Sequence, residues 1–148
     1  MGLFNRAGDN HGDDVLTFDQ RQAFAAMAIL AVASDAHIAD HEVTHIVGNL
    51  ARKRLFRGDD VNEIGRLLNG VSRLVHRHGA TAAVEAARRA LAPDLREAAY
   101  AVAADLLLAN GTLQDTERRF LGDLRHALGV SAELAGKIAE VLTIKNRG

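Results

Sequence analysis

The chain contains no cysteine, no tryptophan, one proline and one tyrosine. Without thiols there is no disulfide, no thiolate nucleophile, no iron–sulfur cluster and no cysteine-based zinc site, a usage that fits a cytoplasmic protein. With only Pro93 to interrupt them, Ala- and Leu-rich segments are free to form helices. Neither sign of charge dominates: the net charge is -1, so whole-protein electrostatics give no support for nucleic acid as a partner. No apolar run approaches the ~18 residues of a membrane-spanning helix. Residues 1–14 lack the basic region and apolar stretch of a secretory signal, and the start Met1-Gly2-Leu3-Phe4-Asn5-Arg6 lacks the Ser or Thr of a myristoylation site at its sixth position. Serine is rare, and the phosphate-loop, nucleophile-elbow and dinucleotide-binding glycine patterns are all missing.

At 148 residues the chain is long enough for one domain with a sizeable core. The expected organisation is a polar, flexible N-terminal tail over residues 1–16 and a helical domain over 17–146. Thr17-Phe18-Asp19-Gln20 fits a capping box with Thr17 as N-cap, opening a helix that is apolar almost all round to about Ser34. A second helix starts near Asp40, carries Val43, Ile46, Val47 and Leu50 on one face, and ends near Arg54. Gly58-Asp59-Asp60 breaks and recaps the chain for a third, amphipathic helix that stops near His78-Gly79. Ala80 to Leu91 forms a fourth helix, and Pro93 opens a fifth that stops near Asn110-Gly111. A sixth runs from about Asp115 to Ala127 and ends at Gly129. Ser131 caps a seventh with Leu134, Ile138, Val141 and Leu142 as its stripe. No segment alternates as a strand does. The fold class is therefore all-α, a single-domain bundle of about seven helices, with Met27, Ile29, Leu30, Val102, Leu106 and Leu107 among its buried residues.

A short acidic pattern occurs twice. Residues 35–42 read Asp35-Ala36-His37-Ile38-Ala39-Asp40-His41-Glu42 and residues 110–117 read Asn110-Gly111-Thr112-Leu113-Gln114-Asp115-Thr116-Glu117, both [DN]-x-x-[IL]-x-D-x-E at an offset of 75 positions. The same offset aligns Arg21 with Arg96, Ile46 with Leu121 and Leu55 with Val130. A repeated supersecondary unit predicts two duplicated helix-turn-helix halves, about 18–55 and 93–130, around one core. Charge is also uneven. Residues 9–51 hold seven acidic side chains against one basic, Arg21, whereas residues 52–89 hold nine basic against four acidic. Solvated helix faces account for such a bias, as does an adaptor with one basic face.

Two chemistries compete for the acidic turns. Asp40 and Asp115 stand where N-caps belong, with Glu42 and Glu117 in the first turns. Carboxylates there accept orphan backbone N–H bonds and oppose the helix dipole, each contributing about 0.5–2 kcal/mol with no ligand at all. The alternative is a hard-cation site: carboxylates with a carbonyl and waters suit Ca²⁺ or Mg²⁺. Its candidate ligands are Asp35, Asp40, Glu42, Asp105, Asn110, Asp115 and Glu117. Neither turn fits an EF-hand loop, so the two turns must converge, or Asp105 must join them. Asp105 is a lone charge in the apolar run Ala101 to Leu108, where a carboxylate needs a partner, either an Arg or a metal. Its counterpart in the first half is Leu30.

His41-Glu42-Val43-Thr44-His45 also fits H-E-x-x-H, two zinc ligands and a Glu base on one helix. The pattern lies at the start of a short helix, with no strand to hold a peptide substrate and no clear third ligand after it. A zinc-dependent hydrolase is the alternative function, and a purely structural adaptor is another.

Around the second turn the chain resembles the TerB family of tellurite-resistance proteins. The residues that carry the likeness are Leu107-Leu108-Ala109-Asn110-Gly111-Thr112-Leu113-Gln114-Asp115-Thr116-Glu117, followed by Leu128-Gly129-Val130. The first turn is a looser copy, with Ala36 where glycine is usual. The resemblance covers roughly residues 18–144. It implies an all-helical duplicated domain, a metal-ion site at the acidic turns, and a role in tellurite resistance or a related stress response. It also implies no enzymatic activity, and partners among other stress-response proteins.

Overall fold

In the computed structural model the described residues are 15–33, 38–109 and 112–147. They form α1 (Gln20–Val32), α2 (Asp40–Leu50), a single 3-10 turn (Arg54–Phe56), α3 (Val61–His78), α4 (Ala80–Ala90), α5 (Pro93–Leu108), α6 (Asp115–Leu128) and α7 (Ala132–Lys145). Among the described residues there is no strand, and the seven α-helices share one core. Asp35, His37, Asn110 and Gly111 lie outside the described residues, as do residues 1–14.

The centre is α1. Every residue from Ala23 to Ala31 is buried, because this helix is apolar on all sides and is contacted by α2, α3, α4 and α5. Its many alanines let neighbouring helices approach closely. The second central helix, α5, lies against α1, α6 and α7. Met27, Ile29, Leu30, Val102, Leu106 and Leu107 are all buried, as the sequence pattern predicts.

Local chemistry explains most helix ends. Asp60 caps α3, its Oδ1 accepting from the Glu63 N–H at 2.8 Å while Glu63 accepts from the Asp60 N–H at 2.9 Å. Gly79 has φ 91° between α3 and α4, and Gly129 has φ 74° where α6 ends, both in the range that favours glycine. Ser131 Oγ accepts from the Leu134 N–H at 3.0 Å and caps α7.

Two boundaries differ from the sequence expectation. The N-cap of α1 is Asp19, in a reciprocal box with Gln22 at N3, rather than Thr17 with Gln20. Both spacings fit the motif, and burial of Phe18 decides between them by fixing the residue before the cap. The end of α2 is Leu50 rather than Arg54, and the 3-10 turn that follows places Phe56 in the core. The Arg21 guanidinium sits over the Phe56 ring, 5.3 Å from its centroid, and pairs with Asp59. The one cation in the acidic N-terminal stretch is thereby tied to the start of the basic one. Leu16 is buried, and its carbonyl accepts from Arg89 Nη2 at 3.0 Å, which fastens the entering chain to α4.

Candidate functional site

The two acidic turns are built alike where they enter their helices. Ile38 and Leu113 are half-buried against the core just before α2 and α6. The N-cap residues are Ala39 and Gln114, so Asp40 and Asp115 are the first residues of their helices and not the caps the sequence suggested. Alanine offers no acceptor and Gln114 makes no side-chain cap bond. What closes each turn is the N3 glutamate. Glu42 Oε1 accepts from the Ala39 N–H at 2.9 Å, and Glu117 Oε1 accepts from the Gln114 N–H at 2.9 Å. These are the glutamate halves of two capping boxes. Asp40 and Asp115 are exposed and act on the dipole from the first turn.

Residues of the first turns of α2 and α6 line one cleft of about 280 Å³. His41, Glu42 and His45 of α2 and Glu117 of α6 supply its polar lining, and its apolar lining is Ala31 and Val32 of α1 with Leu106 and Leu107 of α5. The helix hairpins bring this about: α1 leads into α2, α5 leads into α6, and α1 lies against α5. Two glutamates 75 positions apart in the chain therefore share a wall with two imidazoles. Glu42 and Glu117 are half-buried, whereas His41 and His45 are exposed. Among the described residues no three His, Asp or Glu side chains are gathered closely enough to hold a metal ion.

Asp105 turns elsewhere. Its Oδ2 accepts from Asn49 Nδ2 at 3.2 Å and its Oδ1 from Lys145 Nζ at 3.4 Å. It therefore has a lysine of α7 and an amide of α2 as partners, not an arginine, and it does not line the cleft. The sequence expectation that Asp105 adds a ligand to the second turn is at odds with these contacts. Asn49 is the buried polar residue of the described core, at 8% exposure. Its only signal in the sequence is an amide set between Val47 and Leu50 on an apolar stripe.

The remaining titratable group of note is Tyr100 on α5. Burial pushes its phenol up from the ordinary value, and the nearby Arg125 guanidinium partly opposes that by favouring the phenolate.

No helix among the described residues is long and apolar enough to cross a membrane. No family model, curated protein or solved structure matches the chain, so the likeness to the TerB family rests on the residues of the two turns.

Proposed function

We propose that the chain is a non-enzymatic, TerB-like binding module of the cytoplasm, acting in tellurite resistance or a related stress response. Its site is the cleft between the two acidic turns, where Ca²⁺ or Mg²⁺ mediates contact with other stress-response proteins. The observation that carries the reading is that Glu42 and Glu117, one from each turn, line the same cleft. Two carboxylates are a partial ligand set for a hard cation, which takes six to eight oxygens as Ca²⁺. Waters and backbone carbonyls are the sources of the rest; Asp35 and Asn110, the other candidates from the sequence, lie outside the described residues. A bound cation would stabilise the folded domain by mass action, about 2.7 kcal/mol at a hundredfold excess over Kd.

The test separates cation binding from capping. Glutamine accepts a backbone N–H as glutamate does, so Glu42→Gln with Glu117→Gln keeps both turns closed while removing both charges. Millimolar Ca²⁺ or Mg²⁺ is expected to raise the melting temperature of the parent protein and to leave the double variant unmoved. A parent melting temperature indifferent to both cations would sink the proposal and leave capping as the whole role of the glutamates.

A second reading has a specific observation behind it. His41, Glu42 and His45 of the H-E-x-x-H segment all line the cleft, although among the described residues no third side chain stands close enough to complete a zinc site. Glu42 would then be the base of a hydrolase. Stoichiometric zinc in the purified protein, lost in His41→Ala, would favour this reading over the hard-cation module. Against it stands the lack of any sheet edge among the described residues along which a peptide could align.

A further inference from the structure

We infer that α7 is a detachable strap, latched to the body by Lys145 on Asp105, which opens as a unit while the other helices stay folded. Every other α-helix buries residues completely, and even the short α4 buries Ala83, Val84, Ala86 and Ala87, whereas α7 buries none. Its inward row, Leu134, Ala135, Ile138 and Leu142, is only partly covered by the core. On its outward side Val141 is 62% and Ile144 55% exposed. Local opening is easiest where buried apolar contacts are fewest, and by that measure α7 is the weakest-held helix of the domain.

The unit has defined ends. At its start, Val130 is buried, donates its N–H to the Arg125 carbonyl at 3.0 Å, and accepts from Arg125 Nη1 at 2.9 Å. That anchors the chain immediately before Ser131 and puts the hinge there. At its far end the Lys145 ammonium meets Asp105 at 3.4 Å, with the lysine side chain 56% exposed. A pair so exposed adds little stability, so it acts as a latch and not as a rivet. Opening leaves Asp105 still bonded to Asn49, so the half-buried carboxylate is not stranded. It also frees Leu134, Ile138 and Leu142, an i, i+4, i+8 apolar row of the kind that lies in a groove on another protein.

Native-state hydrogen exchange of the full chain, resolved by peptide, tests this. The readout is the middle of α7, residues 136–142, so that fraying of the last turn does not register. These amides are expected to exchange at least a hundredfold faster than those of α1 and α5. Lys145→Ala should speed them a further roughly two- to fivefold, the range an exposed ion pair allows, without altering α1 or α5. Leu142→Ala should speed them more. Protection in mid-α7 equal to that of α1 would overturn the strap. Faster exchange that spreads equally over all helices in Lys145→Ala, or no change in mid-α7, would overturn the latch.

Discussion

The two acidic turns make the same backbone bond and surround it differently. In both, an aliphatic residue before the turn packs against the core, an N3 glutamate closes the first turn, and an aspartate at the first helical position stays exposed. Beyond that the two turns part. At the offset of 75, the exposed His45 corresponds to Phe120, which is buried at 7%. Asn49 corresponds to Leu124, and Asp105 to Leu30. The bonded pair Asn49–Asp105 thus corresponds to two buried leucines, Leu124 and Leu30, one in each half. The polar pair joins the two halves, one residue from each. What is common to both turns serves helix initiation. What differs gives the cleft its imidazoles and gives α7 its anchoring carboxylate.

The largest effect expected from breaking this comparison is at the polar pair. Asn49→Leu alone removes a hydrogen-bond donor from a half-buried carboxylate and should cost about 1–3 kcal/mol in chemical denaturation. Combining it with Asp105→Leu gives both positions the leucine found at their counterparts and should recover much of that loss. A double variant as unstable as the sum of the singles would show that the two halves are not interchangeable at this layer. Next in size are the closing glutamates. Glu42→Ala and Glu117→Ala should each cost about 0.5–2 kcal/mol and by similar amounts, with the glutamine variants near the parent. A wide gap between the two alanine variants would break the likeness of the turns.

Tyr100 sharpens the contrast between α1 and α5, since its counterpart is the buried Ala25. It is the only tyrosine, so its ionisation can be followed by ultraviolet absorbance without interference. Its folded pKa is raised, so the folded state holds the phenolic proton more tightly than the unfolded chain does. The resulting stability is fully present below the unfolded value of about 10 and is lost as pH climbs through the folded value. Tyr100→Phe should remove that alkaline loss. A parent and variant that lose stability in parallel above pH 10 would refute the assignment. The smallest effects belong to Asp40→Asn and Asp115→Asn, exposed at the first helical positions, at about 0.3–1 kcal/mol each and weaker still in high salt.

The parts of the fold legible in the sequence are those set by neighbours in the chain. Glycines at 79 and 129, Pro93 and Ser131 mark helix ends because a left-handed φ, a fixed φ and a capping hydroxyl act within a turn. The burial of Met27 and Leu106 follows from helices apolar on every side. The cap of α1 is not fixed by local sequence, because two overlapping boxes satisfy the same local rule, and the choice depends on Phe18 entering a core made elsewhere. The stop of α2 at Leu50 has the same character: Phe56 is drawn beneath Arg21, a residue from the other side of the first turn.

The candidate site divides along the same line. The sequence by itself determined an all-helical chain, the apolar face of each helix, and a glutamate in the first turn of α2 and α6 able to close its own backbone, since all of these depend on contacts three or four residues away. Only the tertiary structure decided that Glu42 and Glu117 open onto one cleft with His41 and His45, and that Asp105 takes Asn49 and Lys145 instead of joining them. Those contacts join residues 56 and 40 positions apart for Asp105, and 75 apart for the glutamates. The crossing of α1 with α5 and the docking of α7 set them, and the packing of large buried faces settles both before any single polar contact can form.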